Sequence, residues 1–341
     1  MAVYTEVPFD AAAELVLRLN IGRLTALEGC SGGIENTNYF ADTTQGRYVL
    51  TLFERLSAAQ LPFYLRLMKH LAQRGIPVPD PCADAQGEIL HTLQGKPAAV
   101  VDRLKGSSRL APDAEHCRQL GAMLARMHVA GRDFPLHQPH LRGLAWWVET
   151  VPVVLPFLNP SQCTLIETEL AFQQHVAQSA GWASLPRGPV HADLFRDNVM
   201  FDQEPLEGTI AGPGSDRLSG LFDFYFAGVD TFVFDIAVCI NDWCIDLASG
   251  RLDEDRASAL VAAYQAVRPF NGAELRLFPA MLRGAALRFW ISRLWDLHLP
   301  RDAAMLTAHD PTHFERVLRQ RVETPWHPTL PESRDATPDT P

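Results

Sequence analysis

The sequence lacks the features that mark several large classes of protein. It has no excess of positive charge: 30 Lys and Arg stand against 40 Asp and Glu, a net charge of −10. A protein that neutralises nucleic-acid phosphates or lies on an anionic membrane needs the opposite balance. It has no C-x-x-C. The six cysteines (Cys30, Cys82, Cys117, Cys163, Cys239, Cys244) are scattered, so no zinc or dithiol framework is present and reduced, mostly buried thiols are expected. It has no apolar run of membrane length, because the most apolar stretch, 218–245, is interrupted by Asp223, Asp230, Asp235 and Asp242. Its first residues carry Glu6, Asp10 and Glu14 where an export signal has a basic and then an apolar region. The expectation is a cytoplasmic protein that binds neither nucleic acid nor membrane.

What is present is a composition of 47% hydrophobic and 21% charged residues over 341 positions, enough for two lobes with cores of their own. The chemistry is concentrated in two short stretches. Residues 190–201 place His191, Asp193, Arg196, Asp197 and Asn198 in a polar loop between apolar runs, with the spacing H-x-D-x-x-x-x-N. About twenty-five positions on, Asp223 is the one charge in Leu-Phe-Asp-Phe-Tyr-Phe. Phosphoryl transfer needs this inventory: a carboxylate to accept the acceptor hydroxyl's proton, and an Asn and a second Asp to hold the magnesium that bridges the phosphates. The order and spacing match the kinase catalytic loop and its following acid. An isolated H-x-D is common by chance and a lone buried Asp is often a capping group, so the ordered pair carries the inference. An acidic chain that binds a nucleotide must also neutralise phosphate locally, which again points to a metal.

The N-terminal third reads as a small sheet with one helix inserted. Residues 9–20 have a helical apolar pattern, followed by strand, Gly-containing loop, strand, turn and strand up to residue 55. The loop holds Gly32, Gly33 and Asn36, where a kinase folds a hairpin over the nucleotide phosphates, although a plain turn wants the same glycines. Along 47–55, two-residue alternation puts Arg47, Val49, Thr51, Phe53 and Arg55 on one face. Val49 is then expected near the adenine, and Thr51 stands where protein kinases carry a Lys. Arg47 and Arg55 are candidates for the missing cation, but both flank the strand where solvation is the simpler expectation. An amphipathic helix follows at 61–75, then strands at 88–91 and 97–102, then a linker from Asp102 to Gly106 whose backbone faces the adenine in such an architecture.

The rest reads as mainly helical. His128 is expected as a satisfied core residue on the helix after Asp113, and 135–160, with Trp146, Trp147 and Phe157, as acceptor-side surface. Residues 203–217 form a Gly/Pro/acidic insertion between two short strands. Late in the chain Leu287, Trp290, Ile291 and Leu294 make a core stripe, with Arg288 and Arg293 off it. The proline-rich end from 323 to 341 is expected to be disordered.

Ser-Gly-Gly-Ile-Glu-Asn-Thr-Asn-Tyr-Phe (31–40), His-Ala-Asp-Leu-Phe-Arg-Asp-Asn (191–198) and the run 222–244 together resemble the bacterial homoserine kinases built on the aminoglycoside phosphotransferase and choline kinase fold. Thr51 in place of Lys also resembles that family. The resemblance implies an α+β, two-lobed, protein-kinase-like fold: a small antiparallel-sheet N-lobe over 1–103 and a larger, mainly helical C-lobe over 104–322. It implies ATP and Mg2+ as cofactors and the side-chain hydroxyl of L-homoserine as acceptor, on the path to threonine. By position, Asp193 is then the base, Asn198 and Asp223 the metal ligands, and Gly32, Gly33 and Asn36 the phosphate loop. Arg196 is a candidate for the γ-phosphate, with a salt bridge to Asp197 or a neighbour as the alternative. The zwitterionic acceptor calls for an anion, from Asp230, Asn241 or Asp242, and a cation, Arg288 or Arg293. Structural ion pairs explain those residues equally well, and Asp235 is expected to brace the catalytic loop. Rival readings are a kinase for choline, methylthioribose or an aminoglycoside, and a catalytically silent pseudokinase. Monomer and homodimer both stay open.

Overall fold

The computed structural model describes residues 4–30, 36–203, 216–299 and 309–329. Its small lobe begins with α1 (Phe9–Arg18), which buries Ala12, Leu15 and Val16 at helical spacing. The strands β1 (Leu24–Gly29), β2 (Thr37–Thr43), β3 (Arg47–Leu52), β4 (His91–Leu93) and β5 (Lys96–Asp102) form one antiparallel sheet in the order β1-β2-β3-β5-β4. Between β3 and β4 lies α2 (Leu61–Ala72). The period of two splits β3 between two environments. Leu50 and Leu52 join Leu15, Val16, Ala98 and Val100 in a core under α1, while Val49 and Thr51 face the opposite side and line a cavity. Truncating Leu15 to Ala should cost about 2–5 kcal/mol, the lost burial plus the cavity left among its neighbours.

Expected boundaries shift by a few residues. The strand at 47–55 ends at Leu52 and the helix at 61–75 ends at Ala72. The expected strand at 88–91 starts only at His91, because the reversal into β5 is made by Gln94 and Gly95, both at positive φ (51° and 72°). Two positive φ values match the turn to the strand twist. At the end of the sheet, Gly106 (φ 100°) lies against β7 (Val199–Asp202), where a Cβ would run into the carbonyl of Phe201. Ser107 and Phe201 exchange backbone hydrogen bonds of 3.0 Å at this point, which fixes the linker on the large lobe.

The large lobe is built from α3 (Ala114–Ala130), α4 (Leu144–Val154), α5 (Pro160–Ala177), α6 (Ala180–Ala183), α7 (Phe232–Trp243), α8 (Glu254–Val267), α9 (Gly272–His298) and α10 (Thr312–Glu323). Two short antiparallel pairs complete it: β6 (Arg187–Val190) with β9 (Gly228–Thr231), and β7 with β8 (Arg217–Leu221). Every residue of α7 is buried, so it forms the axis against which α9 packs. α2 belongs to the large core, through Tyr64, Leu67, Met68 and Leu71, and so ties the lobes together. The expectation of disorder from 323 onward needs correction at its start. The ring of Trp326 packs edge-on against Phe278, centroids 5.8 Å apart, because an indole that can cover an apolar surface does so whatever prolines flank it. Residues 330–341 and most of the 203–217 insertion lie outside the described residues. All six cysteines are free thiols. Among the described residues no helix is long and apolar enough to cross a membrane.

Candidate active site

A cavity of about 810 Å3 runs between the lobes, lined by Asn36, Val49, Thr51 and Asp102 from the small lobe and its linker, by Asp193, Asn198 and Asp223 from two loops, and by Arg288 and Arg293 from α9. Strand pairing explains why positions so far apart in sequence meet. β7 and β8 are antiparallel with Val199 opposite Leu221, so the residue before one strand lies beside the residues after the other. The Phe222 N–H donates to the Asn198 carbonyl at 3.1 Å, which places Asp223 next to Asn198. Asn198 donates its Nδ2 hydrogen to the Asp193 carbonyl at 2.8 Å, fixing its carboxamide.

The loop carrying Asp193 is held by buried polar groups. Asp235, on the first turn of α7 and fully buried, accepts from the backbone N–H of His191 (2.9 Å) and of Ala192 (2.7 Å). Its Oδ2 also meets His128 Nε2 at 2.9 Å, while His128 Nδ1 meets the Tyr264 hydroxyl at 2.7 Å. Burial, only partly opposed by Asp235, holds the His128 imidazole below its usual pKa. The ring is therefore neutral, donating from Nε2 and accepting from Tyr264 at Nδ1. His191 follows the same logic: burial lowers its pKa, Nε2 donates to the Phe222 carbonyl at 2.9 Å, and Nδ1 accepts from the Asp193 N–H at 3.3 Å. One imidazole thus ties the loop of Asp193 to the loop of Asp223. Ala192 and Asp223 both adopt left-handed backbone (φ 64° and 65°). For residues with a Cβ that conformation costs roughly 1–3 kcal/mol, and it is kept where surrounding bonds over-determine it.

Asp193 lies 3.7 Å from Arg288 Nη1, too far for a hydrogen bond. Burial pushes its carboxyl up to about 8; Arg288 opposes that shift, and Asp223 and Asp197 add to it. Thr51 donates its hydroxyl hydrogen to Asn38 Oδ1 at 2.7 Å across the β2–β3 pair, so a cross-strand hydrogen bond stands where protein kinases carry a Lys. Arg47 is exposed and paired with Asp42, Arg55 is exposed, and neither lines the cavity. The arginines that do line it are Arg103, Arg142, Arg288 and Arg293.

Four sequence candidates are not brought to the cavity. Arg196, a candidate for the γ-phosphate or for a salt bridge, takes the second course, in a buried two-pronged pair with Asp242, Nε to Oδ2 at 3.0 Å and Nη2 to Oδ1 at 2.9 Å. Asp242 is thereby removed from the expected ammonium site as well. Asn241 is fully buried, donating to the Leu282 carbonyl (2.7 Å) and accepting from Arg321 (3.0 Å). Asp230 pairs with His140 at 3.0 Å and caps Thr231. In each case a nearby partner satisfies the group inside the fold, as burial of a polar side chain requires. Trp146 lines the cavity, but Trp147 is a core residue donating to the Arg142 carbonyl and Phe157 lies at the surface. Gly32 and Gly33 lie outside the described residues. Cavity residues that sequence reading did not single out include Arg103, Arg142, Ser292 and Asp296. Arg288, Ser292 and Asp296 recur at intervals of four along α9, a polar stripe beside the apolar one that was a signal in plain view.

A strand-rich lobe over a helical lobe, with two Asp and one Asn from paired loops facing the space between, has the architecture of a kinase-like phosphotransferase. The chain belongs to the phosphotransferase enzyme family, whose model matches residues 26–270. It is 63% identical over 326 residues to a protein of Polaromonas naphthalenivorans named homoserine kinase, covering 96% of this chain and 99% of that one. A Janthinobacterium protein of the same name is 54% identical, covering 95% and 97%. Among solved structures, the amicoumacin kinase hAmiN, in complex with AMP-PNP, Ca2+ and Ami, superposes with a TM-score of 0.63, covering 91% of this chain and 92% of that one. At 18% identity that likeness is one of fold.

Proposed function

We propose that this chain transfers the γ-phosphoryl group of ATP to the side-chain hydroxyl of L-homoserine, with magnesium, in the cytoplasm. The observation that carries the chemistry is the meeting of Asp193, Asn198 and Asp223 on one wall of the interlobe cavity; the acceptor rests on the curated relatives. The residues present fit a magnesium ion. That ion takes one or two protein oxygens and completes its shell with substrate phosphates and water. Asn198 and Asp223 offer two oxygen donors on adjoining strand ends, and among the described residues no cluster of three or more His, Cys, Asp or Glu forms a cage of its own. Asn198 and Asp223 would hold the ion, which would supply charge neutralisation for the transferring phosphoryl group.

Everything else is the work of this chain's side chains. Val49, on the cavity face of β3, offers an apolar wall for the base, and the 102–106 linker runs along the same edge. Asp193 orients the acceptor hydroxyl and takes its proton late, since the transition state is loose. Asp235, His128 and His191 keep Asp193 and Asp223 in one frame. Thr51 leaves the cavity face of β3 without a cation, so phosphate charge falls to the metal and to the cavity arginines. The test is ADP release, measured with homoserine, choline, methylthioribose, an aminoglycoside and ethanolamine as acceptors. Release with homoserine alone is expected. Turnover of another acceptor in its place would replace the substrate, and silence on all would leave a kinase fold without activity.

A further inference from the structure

The acceptor's recognition follows from a side chain that the fold leaves with two buried nitrogens lacking an acceptor. Arg288 is 2% exposed, and two of its donors, Nε and Nη2, are buried without a hydrogen-bond partner. Its third nitrogen, Nη1, is 3.7 Å from Asp193 and makes no hydrogen bond to it. The guanidinium carbon lies over aromatic rings, 3.8 Å from the centroid of Phe289 and 5.1 Å from that of Phe226. Burial weakens its hold on its proton, Asp193 opposes that shift, and two further cations, Arg142 and Arg293, add to it. Asp193 offsets part of that charge from 3.7 Å but leaves the Nε and Nη2 donors unfilled, and a buried cation with unfilled donors is costly until an acceptor arrives. By contrast, Arg293 is only half-buried, its guanidinium lying toward Phe314.

The carboxylates that sequence reading offered for the acceptor's ammonium are committed elsewhere, to Arg196 and to His140. Of those that line the cavity, Asp193 and Asp223 belong to the transfer centre, Asp102 to the linker and Asp197 to the loop beside Asn198. Asp296 stands two helical turns beyond Arg288 on the same stripe of α9, with Ser292 between them, and its charge is felt by Arg288. A molecule with a hydroxyl at Asp193 and a carboxylate at Arg288 must carry the two groups a few bonds apart. A three-carbon spacer satisfies this.

We propose that Arg288 is the specificity-determining anchor for the acceptor's α-carboxylate, and that Asp296 takes the ammonium on the same carbon. This rests on the homoserine reading and deepens it. The substrate class becomes a short hydroxy-α-amino acid with both charges free, and amino alcohols such as choline or ethanolamine are refused because they leave Arg288 unmatched. Discrimination of this kind is strong where a buried polar group would otherwise lose its partner.

The test uses the full chain with Mg-ATP and three acceptors: L-homoserine, 3-aminopropan-1-ol (the same molecule without its carboxylate) and 4-hydroxybutanoate (without its ammonium). The wild-type protein should prefer homoserine to either. Arg288→Met should lower kcat/KM for homoserine about 10- to 100-fold while 3-aminopropan-1-ol loses far less, so that the preference collapses. Arg288→Lys, which keeps the charge without the fork, should fall between. Asp296→Asn should collapse the preference over 4-hydroxybutanoate instead. Equal losses on homoserine and 3-aminopropan-1-ol would mean that Arg288 serves Asp193 or the phosphoryl group, and would overturn the assignment. If Arg288→Met does not fold, the Lys and Asn variants still decide it, because only their acceptor ratios are read. A wild-type protein silent on homoserine but active on another alcohol would instead sink the substrate reading, and the anchor with it.

Discussion

The two ends of the cavity are built by opposite means. At the transfer end Asp193, Asn198 and Asp223 sit on loops whose backbone is strained at Ala192 and Asp223 and fastened by buried, fully used polar groups. At the acceptor end Arg288, Ser292 and Asp296 sit on one regular helix, and the cation among them keeps unused donors. On the proposed function, the first arrangement would fix the atoms to be aligned with a reacting phosphorus whatever the acceptor. The second leaves hydrogen-bonding capacity for one particular molecule. Loss at the first end should therefore appear in kcat for every acceptor, and loss at the second in the ratio between acceptors.

The sharpest way to break that contrast is Asp193→Ala. Turnover should fall about a hundred- to ten-thousand-fold on every acceptor the protein accepts, with the circular dichroism spectrum and melting curve retained. A loss confined to homoserine would move Asp193 to the acceptor end and dissolve the distinction.

Next in size is Asp235→Ala, which touches neither substrate nor metal. It leaves the N–H groups of His191 and Ala192 and the ring of His128 without their shared acceptor in a dry interior. Leaving a buried neutral donor unsatisfied costs about 1–3 kcal/mol. Urea unfolding should show that loss, and the surviving enzyme should have a lowered kcat with its acceptor ratios intact. Unchanged stability would mean that the strained loop needs no brace.

A smaller effect is expected from pH. Burial holds His128 and His191 below the ordinary histidine value of 6.5. The unfolded chain takes up those protons near 6.5 and the folded chain only at lower pH, so stability declines as the medium is acidified through that range. Each such histidine contributes a slope of at most about 1.4 kcal/mol per pH unit. Asp235 acts in the same direction: burial opposes it, but the His128 hydrogen bond and charges nearby keep its carboxyl below the usual range, so its share is lost at still lower pH. Urea midpoints between pH 7 and pH 5 should fall in the wild type and fall less steeply in His128→Asn. An identical slope in the two proteins would show that His128 is protonated in the fold.

The same contrast explains what the sequence made legible. The transfer end is written in order and spacing, because one loop carries H-x-D-x-x-x-x-N and a strand pair brings up the second acid. The kinase-like fold and the phosphotransferase class followed from that. The fate of Arg196 and Asp242 was not legible, since nothing in spacing says that a cation three residues past the base will be captured by a carboxylate 46 positions on. Arg288 lay off the apolar stripe of α9 and was still buried, because its neighbours Phe226 and Phe289 accept a guanidinium face as readily as a methyl group. Helical periodicity sorts apolar from polar positions. It does not say which polar position faces a cavity.

Thr51 gives the smallest prediction and tests the transfer end from its other wall. The chain has a hydroxyl there, bonded across the sheet to Asn38, where a charge was looked for. If phosphate charge is met without this strand, Thr51→Val, which keeps shape and removes only the hydroxyl, loses one hydrogen bond and nothing catalytic. Asn38 lines the cavity, so water can replace the lost donor. The expected cost is about 0.5–1.5 kcal/mol of stability by urea unfolding, with kcat and the KM for ATP within a few-fold of wild type. A large rise in the KM for ATP would instead assign the Thr51 hydroxyl to a phosphate oxygen. The small lobe would then contribute to transfer through a neutral donor, and the cavity arginines would lose their claim as the cations that stand in for the missing lysine.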